Sequence, residues 1–223
     1  MKARQTVLEE LAARLDAQSA RPVLRVAVDG VDGAGKTTFA DELAACLRDL
    51  SREVIRASVD GFHHPRFVRY QRGRGSPEGF YRDSYDYDGL RWALLDPLSS
   101  DGSLRYRTAI FDVDADQPVS QAELTAQPGS LLIVDSLFLH RPEFRGVWDD
   151  SIFLRVDFAV SVPRGAARGP GFGSPDPQAE INRRYTGGNR LYFEEANPEQ
   201  WAGVVVDHND LNAPFIGSSG AGS

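Results

Sequence analysis

The chain carries one cysteine, Cys46, in 223 residues. No disulfide can form within it, and a reducing cytoplasm is the expected compartment. No apolar run approaches the roughly eighteen residues of a membrane span. The start, MKARQTVLEELAARL, has no continuous apolar segment of the kind a signal peptide needs; it reads as an amphipathic helix with Val7, Leu8, Leu11 and Leu15 on one side, and no membrane partner is expected. Positive charge is in deficit, with 25 Lys and Arg against 32 Asp and Glu and a net charge of −7. That balance excludes the basic stripe of a duplex-binding surface, so no nucleic-acid partner is expected. There is no Asn-Lys-x-Asp segment such as a guanine-reading switch would use, and Asn209-Asp210 is a poor substitute. His63 and His64 lack the neighbouring Cys or Glu pattern of a metal site. No internal repeat is present.

What the chain does have is Gly30-Val31-Asp32-Gly33-Ala34-Gly35-Lys36-Thr37. It fits G-x-x-x-x-G-K-[ST], a loop whose backbone N–H groups wrap a β-phosphate while the lysine reaches the β/γ oxygens and the hydroxyl takes a place on Mg²⁺. Val23 to Val28 before it reads as a buried strand. Lys36 to Leu50 after it places Phe39, Leu43, Leu47 and Leu50 on one helical face. The helix N-terminus adds its positive end to the anion site. A nucleotide, ATP with Mg²⁺, is therefore expected on Gly30, Asp32, Gly33, Ala34, Gly35, Lys36, Thr37 and Thr38.

Further strands are expected over Glu53 to Val59, Leu131 to Asp135, Ser151 to Phe158 and Gly203 to Val206. Alternating with helices, the five strands predict an α/β chain: a P-loop NTPase fold with a doubly wound, five-stranded, mainly parallel sheet and flanking helices. Ligands in such sheets lie beyond the carboxyl ends of the strands, so Asp60 and Asp135 fall on the rim that carries the loop. Asp135, ending the most apolar strand, has the pattern of a carboxylate that joins Thr37 in holding magnesium. Pro65 to Tyr87 reads as a long loop with a helical piece, Leu90 to Leu98 as a helix stopped by Pro97, and Ser103 to Asp112 as a hairpin or edge segment outside the main sheet. The stretch of about 163–188, rich in Gly, Pro and Arg, reads as a mobile arginine-bearing lid rather than a packed element. Residues 1–216 are expected to form one domain and 217–223 a flexible Gly/Ser tail.

Taken together, GVDGAGKT, DGFHH after the second strand, YDYDGL, RTAIFD, LLIVDSLFLHRPEF and VVVDHND resemble the uridine kinase-like branch of the P-loop kinases. That branch includes phosphoribulokinase and bacterial-type pantothenate kinase, and the resemblance runs from Val23 to Pro214. The loop spelling DGAGKT is also similar to thymidylate kinase. The resemblance implies that Asp60 is the general base toward an acceptor hydroxyl and that Lys36 stabilises the transferring phosphate. It implies an acceptor pocket drawn from His63, Tyr85, Asp86, Asp88, Arg107 and Asp112. It also implies two lid arginines four residues apart on a helix, Arg164 and Arg168, with Arg183 and Arg184 in reserve; Gly169 stands where the family has an acid.

The expected activity is transfer of the γ-phosphate of ATP to a hydroxyl of a small molecule, with a nucleoside such as uridine or cytidine as leading acceptor. Pantothenate or a sugar is an alternative, as is a nucleoside monophosphate, for which Arg66, Arg69, Arg72 and Arg74 supply a candidate basic set. A nucleotide-binding protein without transferase activity is the non-enzymatic alternative. The expected partners are the small acceptor and, as an option, a second copy of the chain.

Overall fold

Along Val23–Gly30 the side chains of Val26 and Val28 pack into one apolar cluster and that of Ala27 into another, the period-2 signature of a strand covered on both faces. The computed structural model describes residues 2–18, 21–169 and 173–217. In chain order these form α1 (Lys2–Asp16), β1 (Val23–Gly30), α2 (Lys36–Asp49), β2 (Val54–Ser58), α3 (Arg66–Arg69), α4 (Pro77–Asp83), α5 (Tyr87–Leu90), β3 (Arg105–Tyr106), β4 (Phe111–Asp112), β5 (Gln117–Pro118) and β6 (Leu124–Thr125). They continue with β7 (Ser130–Ser136), β8 (Asp150–Arg155), α6 (Phe158–Ala166), α7 (Arg183–Ala196), α8 (Pro198–Trp201), β9 (Val204–Asp207) and β10 (Phe215–Gly217).

The main sheet has the order β10-β9-β8-β1-β7-β2. Its five predicted strands are all present and mutually parallel. The expected count of five is corrected to six, because β10 adds antiparallel to β9. With three residues set between Pro214 and the Gly/Ser tail, β10 carries no periodic signal, and Gly217 belongs to this strand rather than to the tail. Residues 218–223 of that tail lie outside the described residues.

One face of the sheet is covered by α1 and α2, through Leu8, Leu11, Leu15, Phe39, Leu43 and Leu47. Leu50 departs from the expected stripe: it caps the C-terminus of α2 and is exposed. Cys46 is half-buried beside this cluster. The other face meets Phe62, Phe80, Tyr81, Leu94, Phe138 and Tyr192. The Ser103 to Asp112 segment does stay outside the main sheet, β3 pairing with β6 and β4 with β5. Leu90 closes α5 and Arg91–Leu95 continues it as one wide turn, ahead of Pro97.

The expectation of a mobile cover over about 163–188 is corrected at its C-terminal end. There α7 packs on α4, drawn together by Gly187 and Gly188: a Cβ at Gly188 would stand 2.6 Å from Phe80 Cδ1 and 3.0 Å from the Pro77 carbonyl. Glycine in this run marks close helix contact, not looseness. Arg184 is buried there, donating to the carbonyls of Arg74 and Ser76 and lying over Tyr70 and Phe80.

Packing on this face converges on a buried carboxylate, Asp29, at the end of β1. Its Oδ1 accepts from Gly30 N at 2.7 Å. Its Oδ2 accepts from Leu139 N, from His140 N and Nδ1, and from the Tyr192 hydroxyl. His140 Nε2 meets Ser151 Oγ at 2.9 Å, and Gly203 N donates to the same hydroxyl. The Asp29 carboxylate can only accept, so an imidazole N–H lies on Nδ1, toward Asp29, and Ser151 Oγ, which accepts from Gly203 N, is placed to donate to Nε2. Five segments, β1, the stretch after β7, β8, α7 and the entry to β9, are thus tied to one buried side chain and its partners. Tyr192→Phe removes one donor to it and should cost about 2 kcal/mol, read as a lower urea midpoint with an unchanged m-value.

Candidate active site

The loop after β1 turns where side chains are costly. Gly33 and Gly35 have φ of 73° and 84°, a left-handed region that glycine enters freely. A Cβ at Gly33 would lie 2.1 Å from the Ser161 carbonyl, so the loop runs directly against α6. Gly35 caps α2, whose first residue, Lys36, curls back so that Nζ donates to the Val31 carbonyl at 2.9 Å.

Parallel register places Asp135 opposite Val28 of β1 and Ser58 of β2, at the rim the loop occupies. Thr37 Oγ1 donates to Asp135 Oδ2 at 2.7 Å, while Arg56 Nη2 holds Oδ1 at 2.7 Å and also pairs with Asp41. The hydroxyl and the oriented carboxylate are hard oxygen donors side by side, a set that fits Mg²⁺. The left-handed glycines, the loop's N–H groups and Lys36 fit a nucleotide phosphate. Desolvation pushes the Lys36 ammonium below the usual lysine range, against the pull of Asp32, Asp29, Asp135 and Asp60. Burial likewise raises the Asp32 carboxyl, opposed by Lys36. A bound phosphate would add a counter-charge that favours the ionised form of Lys36.

Asp60 follows β2 in a short helical turn, Val59–Phe62, capped by Ser58 Oγ, and is exposed. It shares a cleft of about 220 Å³ with Asp32, Lys36, Thr37, Asp135, His63 and Tyr85. Tyr85 OH lies 3.5 Å from Asp60 Oδ1, and the His63 and Tyr85 rings stand 4.5 Å apart. Desolvation lowers His63 and raises Tyr85, so both are neutral at neutral pH.

The other acceptor candidates are not among the residues that line this cleft. Asp86 caps α5, its carboxylate accepting from Gly89 N. Asp88 is exposed in the first turn of that helix. Asp112 accepts from Asp114 N and Ala115 N in a turn. Arg107 pairs with Glu123 and lies over Trp92. The arginine set considered for a phosphorylated acceptor is engaged elsewhere: Arg66 and Arg69 with Asp116, Arg72 with Asp83, and Arg74 over Tyr70.

Arg164 and Arg168 do not share a helical face. α6 ends at Ala166, ahead of Gly169 with φ 131°. Arg168 lines the cleft, whereas Arg164 donates to the carbonyls of His208 and Asn209 after β9. Arg183 pairs with Glu180 in solvent.

Three contributors carry no motif. Arg56 orients Asp135, Asn189 of α7 donates to Asp32 Oδ2 at 3.0 Å, and His208 Nδ1 meets the Ala34 carbonyl at 2.7 Å. His208 Nε2 lies 2.7 Å from Arg4 Nη1, which can only donate, so His208 is neutral with its proton on Nδ1. Burial holds its pKa below 6.5, with Arg4 and Arg164 adding to the shift against the Ala34 hydrogen bond and Glu42.

This group contributes stability that is complete above about pH 6.5, where the unfolded histidine is also neutral. It is lost as acid protonates the unfolded chain first. Between about pH 7.5 and pH 5.5, the Tm of the native protein should fall more than that of His208→Gln, even though the variant starts lower; parallel falls would contradict the neutral-histidine geometry.

Solved structures share this architecture. A protein described as a possible uridine kinase from Bacillus stearothermophilus superposes with a TM-score of 0.70 at 21% identity, over 89% of this chain and 96% of the other. A candidate fructose transport system kinase from Silicibacter sp. gives 0.67 at 23% identity, over 86% and 95%. D-glycerate 3-kinase from Cryptococcus neoformans gives 0.57 at 13% identity, over 96% and 97%. This chain shares the fold of these P-loop kinases. No family model and no curated protein matches the sequence. Among the described residues no helix is long and apolar enough to cross a membrane.

Proposed function

We propose that the chain is an ATP-dependent phosphotransferase acting on a hydroxyl of a small molecule. The observation that carries this reading is the convergence of Lys36, of Thr37 hydrogen-bonded to Asp135 at 2.7 Å, and of Asp60 on one cleft at the carboxyl rim of the sheet. Phosphoryl transfer asks for positioned charge more than covalent help. In this reading the loop N–H groups and Lys36 hold the β and γ phosphates, and Thr37 with Asp135 holds the magnesium. The metal, when bound, neutralises phosphate oxygens.

Asp60, exposed and facing the cleft, accepts the proton of the acceptor hydroxyl. The hydroxyl oxygen forms the new bond to phosphorus as the bond to the bridging oxygen of ADP breaks. Arg168 contributes charge at the mouth of the cleft, a position that speaks for it ahead of Arg164. A nucleoside such as uridine or cytidine remains the leading acceptor. The proteins of like fold are described as a possible uridine kinase, a candidate fructose transport system kinase and a D-glycerate 3-kinase, so a sugar or a sugar acid stands beside it. The pairing of Arg66, Arg69, Arg72 and Arg74 with other groups weighs against a monophosphate acceptor.

The deciding assay is acceptor-dependent ADP release from ATP and Mg²⁺ across uridine, cytidine, pantothenate, simple sugars, glycerate and nucleoside monophosphates. Asp60→Asn should lower kcat by roughly 10²- to 10⁴-fold with nucleotide affinity kept. Tight ATP binding with no acceptor-dependent release across the panel would instead assign a nucleotide-binding role.

A further inference from the structure

Between α6 and α7, beside the phosphate loop, lies a second cleft of about 240 Å³. Asp32, Gly33, Arg168 and Tyr185 line both it and the cleft that holds Asp60, so the two are compartments of one space. Its walls include Phe158 and Val162 from α6 and Tyr185 from α7, apolar surfaces suited to the carbon face of a ring.

Two polar atoms distinguish it from a packing defect. Ser161, 0% exposed, and Asn189, 2% exposed, both line the cleft. Among the described residues neither Ser161 Oγ nor Asn189 Oδ1 has a hydrogen-bond partner. The orientation of the Asn189 amide is not arbitrary. Its nitrogen faces Asp32 Oδ2 at 3.0 Å and the Tyr185 carbonyl at 2.9 Å, both acceptors, so its oxygen is the atom of this cleft-lining amide left without a partner. An unmet buried carbonyl costs free energy until a donor arrives.

We propose that this cleft binds the non-reacting part of the acceptor, with Asn189 Oδ1 and Ser161 Oγ receiving ring hydroxyls, and that the acceptor is therefore a neutral, phosphate-free polyhydroxylated molecule: a free sugar or the ribose of a nucleoside. The inference rests on the phosphotransferase reading for the word acceptor, but the binding it asserts is independent of turnover. The lining supports the class. Asn189 Oδ1 and the Asp32 carboxylate are acceptors and repel phosphate oxygens. Among the described residues the one cation of the lining, Arg168, stands on the wall that the two clefts share. The ring hydroxyls would be read in this compartment while the reacting hydroxyl meets Asp60 in the other.

Ser161→Ala is the informative change, because removing a buried hydroxyl that bonds nothing leaves a merely structural site as stable as before or more so. Isothermal titration with D-ribose, D-fructose, uridine, 2′,3′-dideoxyuridine and uridine 5′-monophosphate should show binding of at least one neutral member. Ser161→Ala should weaken that binding roughly fivefold to tenfold with an unchanged or higher Tm, and should raise KM in the ADP-release assay more than it lowers kcat. Binding of a free sugar assigns a sugar; binding of uridine with loss in the dideoxy analogue assigns the ribose of a nucleoside.

The proposal is overturned if no neutral member binds, if Ser161→Ala binds as the native protein does, if the dideoxy analogue matches uridine with no sugar bound, or if the monophosphate binds more tightly. Binding that depends on Ser161 without phosphate transfer would refute the phosphotransferase reading and leave the cleft assignment standing. Transfer with Ser161→Ala unaltered would do the reverse.

Discussion

A carboxyl group buried inside a protein must be met by hydrogen bonds, and both oxygens of Asp29 are met in this way. Because the residue immediately precedes the phosphate loop, the groups that satisfy it also fix where that loop starts. The chain after β7 contributes two N–H groups and an imidazole, α7 a phenol, and Gly30 its own N–H. Losing any donor leaves a buried carboxyl group short of partners, so the elements are held together by the penalty of separation more than by the strength of any single bond. The position of Gly30, and with it the anion cradle, follows from the core rather than from the loop's own preferences.

From that anchor the rest of the rim follows by register. Parallel pairing of β1 with β7, and of β7 with β2, sets Asp135 between the phosphate loop and Ser58, two residues before Asp60. Arg56, two residues before Ser58 on β2, then reaches across to hold one oxygen of Asp135 while Thr37 takes the other. The hydroxyl and carboxylate proposed to hold magnesium are therefore pre-oriented by Arg56, an arrangement that would spare reorganisation on binding a cation.

The five parallel strands, the phosphate loop, the apolar stripe of α1 and most of that of α2 were legible because each rests on local periodicity or on glycines at fixed spacing. Asp60 and Asp135 were legible as rim acids because strand ends predict the rim. Arg56, Asn189 and His208 were not: each reaches a partner far along the chain, and a single polar residue on a strand, a helix or a loop carries no period. The misreadings have physical causes as well. Gly187 and Gly188 looked like looseness and turned out to permit contact with α4. Four-residue spacing put Arg164 and Arg168 on one face only as long as the helix continued, and it stops at Ala166. Asp86 and Asp112 hold a cap and a turn, a use of an acid that residue type alone does not separate from binding.

The contact between Arg4 and His208 spans 204 positions of sequence, and His208 in turn supports the Ala34 carbonyl inside the phosphate loop. During synthesis, α1, β1, the loop and α2 emerge together and can pair their apolar faces early. The hydrogen bond that completes the loop waits for a residue translated some 170 positions later, as does the bond from Arg4 to the Leu211 carbonyl. Long-range closure of this kind is slow to form and sensitive to order of assembly. The phosphate loop, although encoded near the start of the chain, cannot complete its hydrogen bonding until the stretch after β9 has been made.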